Sequence, residues 1–180
     1  IDDKISQIQS KQECSFCNLT DSNLTKIKLK GADLRYANLS GANLSGVDLS
    51  GSYLKRAVFN NANLSGAVLS GTNLVETDLS GANLAKLNLS GVNLSGANLI
   101  MADLTEVNFK GANLNDAFFQ RSLLINADLS NSKLVGTVMS KANLKGADLS
   151  GTNLTGANFE RAILANVSLM GANLKEMNLT

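Results

Sequence analysis

A leucine returns every fifth residue for almost the whole length of the chain. Counting from Leu19 to Leu179 gives 33 such positions without insertion or deletion; 28 are Leu, and the others are Phe59, Phe109, Phe119, Met139 and Phe159. A period of five suits neither an α-helix at 3.6 nor an uninterrupted strand at 2. It suits a short extended piece followed by a corner. Two residues before each central position stands a small residue, the large exceptions being Ile27, Leu87 and Met177. Alternation sends both residues to the same side, the interior, and the residue between them outward. That outward residue is Asn or Asp in 23 repeats, and all 15 glycines fall two residues after a central position. The second middle residue of a type II turn needs φ > 0, which glycine supplies.

A longer period lies over the short one. Gly31, Gly51, Gly71, Gly91, Gly111, Gly151 and Gly171 form one column at a spacing of 20, interrupted only by Asn131. Four pieces therefore close one square circuit, and stacked circuits sit roughly 4.8 Å apart, the ordinary strand spacing. The expectation is an all-β solenoid of about eight coils, with nearest-neighbour stability. Leu39 should stack between Leu19 and Phe59, and each outward residue should join a ladder.

Runs such as Ala32-Asp33-Leu34, Ala42-Asn43-Leu44 and Ala147-Asp148-Leu149-Ser150-Gly151 resemble the A-(D/N)-L-x-x signature of the pentapeptide-repeat proteins. The resemblance extends over about 164 of the 180 residues. It implies a right-handed quadrilateral β-helix, with the handedness taken from the family and not from the spacing. The solenoid is assigned to residues 17–180 and an N-terminal helical cap to residues 1–16. Ile1, Ile5 and Ile8 stand at helical spacing there, with Asp2 and Asp3 near the start. At the other end Met177 could plug the last coil; left open, that end invites self-association.

Cys14 and Cys17 would face inward across the first corner, with Cα atoms within disulfide range. Free buried thiols and a redox centre are the alternatives; zinc would need further soft ligands, which the chain lacks. The segment Ser6–Leu19 also resembles the start of exported pentapeptide-repeat proteins of cyanobacteria and chloroplast lumens. That likeness, and a chain beginning at Ile1 without Met, point to an exported, oxidising compartment, periplasm or thylakoid lumen.

Composition removes several function classes. There is no His, so no Ser-His-Asp or imidazole metal site is available, and neither a catalytic residue, a metal nor a cofactor is assigned. Sixteen basic against 15 acidic residues argue against nucleic acid as a partner and against an acidic duplex mimic. No apolar run reaches the roughly 20 residues of a membrane span.

The 20-residue rule turns the sequence into a surface map. Asp128 and Asp148 become neighbours on a flat face; their proximity should raise one carboxyl pKa, and it is the sole feature favouring a carbohydrate hydrolase. Arg121, Lys141 and Arg161 form a corner ladder that could hold an anion, unless Glu160 and solvent relieve it. Residues 24–56 hold six cations against two Asp, with Tyr36 and Tyr53 as aromatics. Ile100, Met101, Phe118, Leu123, Ile125, Val138 and Ile163 stand outward and gather around one edge, the kind of apolar surface that marks a contact with a protein partner or another copy. The favoured function is a non-enzymatic structural or interaction scaffold. A topoisomerase-directed DNA mimic is disfavoured by the balanced charge, and ice binding by Lys30, Lys110 and Met170, which interrupt the Ser column.

Overall fold

A computed structural model describes Ile8 and residues 11–180. The register is the expected one. Outward residues pair in parallel with those 20 positions on, as in Asn18 with Asn38 and Asn38 with Val58. Around the core, the N–H of Leu19 donates to Asn38 C=O at 2.7 Å and that of Leu39 to Val58 C=O at 2.7 Å. Four faces result. The first carries Glu13, Asp33, Tyr53 and onward; the second Asn18, Asn38 and Val58; the third Asn23, Asn43 and Asn63; the fourth Lys28, Asp48 and Val68. Along most of the rod the central Leu and Phe side chains and the small residues beside them are fully buried.

Three local devices make the corners. First, the outward Asn or Asp accepts the N–H two residues on, as Asp48 Oδ1 does from Ser50 at 2.8 Å and Asn108 Oδ1 from Lys110 at 2.9 Å. This Asx turn gives the residue type a reason beyond polarity. Second, most inward Ser and Thr donate to the carbonyl three residues back, as Ser52 does to Leu49 at 2.6 Å and Thr152 to Leu149 at 2.6 Å; Thr77 donates to Leu54 C=O on the coil below at 3.1 Å, and the Ser132 hydroxyl is buried without a partner. Third, the second corner residue has positive φ from Phe16 to Glu176, except at Lys26.

Pairing begins at Glu13, which bridges to Asp33, so both cysteines already belong to the first coil. Cys14 and Cys17 are joined in a disulfide with Cα atoms 5.2 Å apart. Of the expected cap, Gln12 N–H donates to Ile8 C=O at 2.9 Å and Ile8 is fully buried; Ile1, Asp2, Asp3 and Ile5 lie outside the described residues. At the other end Met177 packs only partly against the core. Leu174 and Leu179 stay exposed, so Met177 does not plug the last coil.

The expectation that every outward residue joins a ladder fails on the fourth face. Among the described residues the pairs Lys28 with Asp48 and Val68 with Asn88 are missing, although Asp48 pairs with Val68 and Asn88 with Asn108. These breaks coincide with Ile27 and Leu87, the two large residues in the inward small column of that face. A side chain of that volume crowds a close-packed interior, and at Leu87 the wall parts on one side only, since Asn88 still pairs with Asn108.

Candidate interaction edge

The second and third faces meet at the corner column Ser80-Gly81, Ile100-Met101, Gln120-Arg121 and Ser140-Lys141. Phe118 on the second face and Leu123 on the third flank the Gln120-Arg121 corner. Phe118 pairs with Asn98 below and Val138 above. Phe118, Leu123 and Met101 are 41%, 42% and 62% exposed; Ile100 and Val138 are half-buried. Beside them lies a shallow hollow of about 330 Å³ lined by Asn61, Ser80, Gly81, Asn98, Ile100 and Met101. It exists because Ser80-Gly81 sits directly under Ile100-Met101. Large residues stacked over small ones leave a step in the corner.

Two of the seven expected apolar residues stand apart from this cluster. Ile125 occupies the corner between the third and fourth faces, at the far side of the third. Ile163 is on the third face but is separated from Leu123 by Asn143, which pairs with both. The compact group is Ile100, Met101, Phe118, Leu123 and Val138.

The corner ladder is placed as expected, since Arg121 N–H donates to Ser140 C=O at 3.2 Å and Lys141 N–H to Glu160 C=O at 2.9 Å. Its charges are not equivalent. Arg161 approaches Glu160 at 3.7 Å, whereas among the described residues Arg121 and Lys141 have no carboxylate partner. The carboxylates of the two faces are engaged locally. Asp78 accepts from Ser80 N–H at 3.1 Å and Asp103 from Thr105 N–H at 3.0 Å.

Elsewhere several of the charged candidates are engaged by their own neighbours, although among the described residues Lys26, Lys28, Lys30 and Lys55 have no carboxylate partner. Asp128 and Asp148 are paired neighbours, but each carboxylate caps its own corner, through Ser130 N–H at 2.9 Å and Ser150 N–H at 2.8 Å. The Asp148 carboxyl lies below its ordinary value. Hydrogen bonds from the Ser150 side chain and backbone, with a further one from Ser168, outweigh burial. In the basic region Arg35 is held by Asp33 through contacts of 2.9 and 2.6 Å, and Arg56 by Glu76. Those hydrogen bonds lower the Asp33 and Glu76 carboxyls. Phe16, missed among the aromatics there, stacks on Tyr36 with centroids 4.7 Å apart; the spacing of 20 between them is the signal that finds it. Among the described residues no group of three or more His, Cys, Asp or Glu could hold a metal ion, and no helix is long and apolar enough to cross a membrane.

Square 20-residue coils with flat faces and stepped corners define a repeat solenoid, a class whose surface is its working part. This chain belongs to the pentapeptide-repeat family. The pentapeptide repeats model matches residues 13–51, 52–86, 62–100 and 72–111, and the pentapeptide repeat region model matches residues 102–179. Among solved structures, it is similar to HetL, a pentapeptide repeat protein involved in heterocyst differentiation regulation from the cyanobacterium Nostoc sp. strain PCC 7120. The identity is 34% over 92% of this chain and 80% of that one, with a TM-score of 0.37. A pentapeptide repeat protein from the Arabidopsis thaliana thylakoid lumen is 30% identical over 67% of each chain, with a TM-score of 0.25. QnrB1, a plasmid-mediated fluoroquinolone resistance protein, is 21% identical over 89% of this chain and 86% of its own, with a TM-score of 0.46. No curated protein matches the chain.

Proposed function

We propose that this protein is a non-enzymatic interaction scaffold that works in an oxidising, exported compartment and docks a protein through the edge between its second and third faces. The observation that carries the reading is the cluster of Phe118, Leu123 and Met101, exposed together beside a hollow on a rod whose other outward columns are mostly polar. Contiguous apolar surface of this kind is unfavourable in water, and covering it lowers the free energy. The Cys14–Cys17 disulfide supports the compartment, because reducing cytosol keeps such pairs open.

The test is a double variant, Phe118→Asn with Leu123→Asn. Each change installs the Asn that one ladder neighbour carries, Asn98 beside Phe118 and Asn143 beside Leu123, so far-UV circular dichroism and the melting temperature should hold. Proteins recovered from the native compartment on the immobilised wild type should be lost. Full retention of those partners by the folded variant would refute the edge as the docking surface. Intact mass with and without reductant reads the disulfide in the native material; free thiols there would remove the compartment argument.

A further inference from the structure

The same edge carries two cations, Arg121 and Lys141, that among the described residues meet no carboxylate, and they narrow what can dock there. Arg121 lies between Phe118 and Leu123 in sequence and shares their corner. Lys141 stands one coil above it, at roughly the 4.8 Å strand spacing along the rod axis. Like charges at that spacing repel. Other cations meet a carboxylate of the rod, as Arg56 does Glu76, Lys86 does Glu106 and Arg161 does Glu160, while among the described residues Lys110, Lys133 and Lys145 do not; what sets Arg121 and Lys141 apart is their place beside the apolar cluster. On the second and third faces beside the cluster, Asp78 and Asp103 are tied to Ser80 and Thr105.

We infer that the edge recognises an acidic protein segment with an apolar anchor. An aliphatic or Met side chain of the segment enters the hollow beside Ile100 and Met101. Neighbouring apolar groups cover Phe118 and Leu123, and a carboxylate settles between Arg121 and Lys141. Two cations and an apolar anchor site suit a carboxylate-bearing protein segment better than nucleic acid, which would want a longer basic groove and a row of exposed aromatic rings, where this edge offers Phe118 alone. Flexible Met101 suits such a surface because a thioether adapts to the anchor it meets. The inference rests on the edge being the docking surface.

The experiment uses the full chain in its oxidised form as bait for a displayed library of random twelve-residue peptides. The best binder is then synthesised with a fluorophore and titrated by anisotropy. The expected consensus places Asp or Glu within a few residues of Leu, Ile, Met or Phe. Arg121→Glu with Lys141→Glu should weaken the peptide about tenfold, raising the salt should weaken it further, and an acid-to-Lys version of the peptide should prefer the charge-reversed protein. Phe118→Asn with Leu123→Asn should abolish binding. If that apolar variant abolishes binding while charge reversal and salt change nothing, the edge docks peptides but the acidic partner is wrong. A library yielding no binder, peptides indifferent to both variants, or the cluster buried in a dimer of this chain would overturn the inference together with the docking reading.

Discussion

At the scale of single residues, the glycines differ in what they do even within one column. Gly91 and Gly151 both have positive φ, +67° and +65°. A Cβ on Gly91 would meet nothing within 4 Å, while one on Gly151 would lie 2.5 Å from Asn131 Oδ1. Gly91→Ala should therefore cost only the left-handed penalty, about 1–2 kcal/mol. Gly151→Ala should cost more, and Asn131→Gly in that background should return it to the Gly91→Ala level; urea unfolding of the four proteins measures this. Asp148 makes a second residue-scale prediction. Its folded pKa is lowered, so the stability it contributes is fully present above the unfolded carboxyl value and is lost as pH falls through the folded one. Wild type should gain on Asp148→Asn as pH rises from about 2 to 5 and hold that gain above it. Chemical denaturation across that range checks the sign, and a gain running the other way would mean that repulsion from Asp128 governs the site.

At the scale of one coil wall, Leu87 is the informative residue. Among the described residues the N–H groups of Leu69, Gly71 and Asn88 find no carbonyl on the neighbouring coil, whereas one coil on Leu89 donates to Asn108 at 2.8 Å, Gly91 to Lys110 at 2.9 Å and Asn108 to Leu87 at 2.9 Å. The first three amides should exchange with deuterium at least about ten times faster than the second three, because a missing ladder bond removes the local opening cost. Leu87→Ala should close the wall and slow them. It should also cost less than the roughly 2–5 kcal/mol of an ordinary buried Leu→Ala change such as Leu89→Ala. Equal exchange at the two sites would show that the break is not felt in solution. How much could be read beforehand divides along this line. The period of five and its multiple of 20 carry the coil, the core and the location of Phe118, Leu123 and Arg121, because each depends only on chain register. The broken ladder was visible as an exception at Ile27 and Leu87, but its consequence depends on how much room the interior has, which no single column states. The hollow required comparing Ser80-Gly81 with Ile100-Met101 across coils, and the engagement of Arg35, Arg56 and the Asp148 carboxylate required side-chain directions that spacing does not supply.

At the scale of the whole rod, every ladder contact among the described residues joins positions 20 apart, so each coil leans on its two neighbours. A solenoid of this kind is a sum of coils and coil-to-coil interfaces. Removing one whole circuit should then be tolerated wherever the two new neighbours fit. Deleting residues 72–91 joins Gly71 to Val92, keeps each later residue on its face, and takes Leu87 away. The wall that now places Val68 under Asn108 has Val107 beneath it in place of Leu87, so its ladder should close. The shortened protein should fold, lose roughly 4.8 Å of length by small-angle scattering, and show protection at Leu69. A control lacking residues 74–91 breaks the period of five at its junction, so the coils on either side cannot stack in register across it, and it should lose the stability of that interface. If the two deletions behave alike, stability is not local to neighbouring coils, and a long-range constraint must hold the rod together.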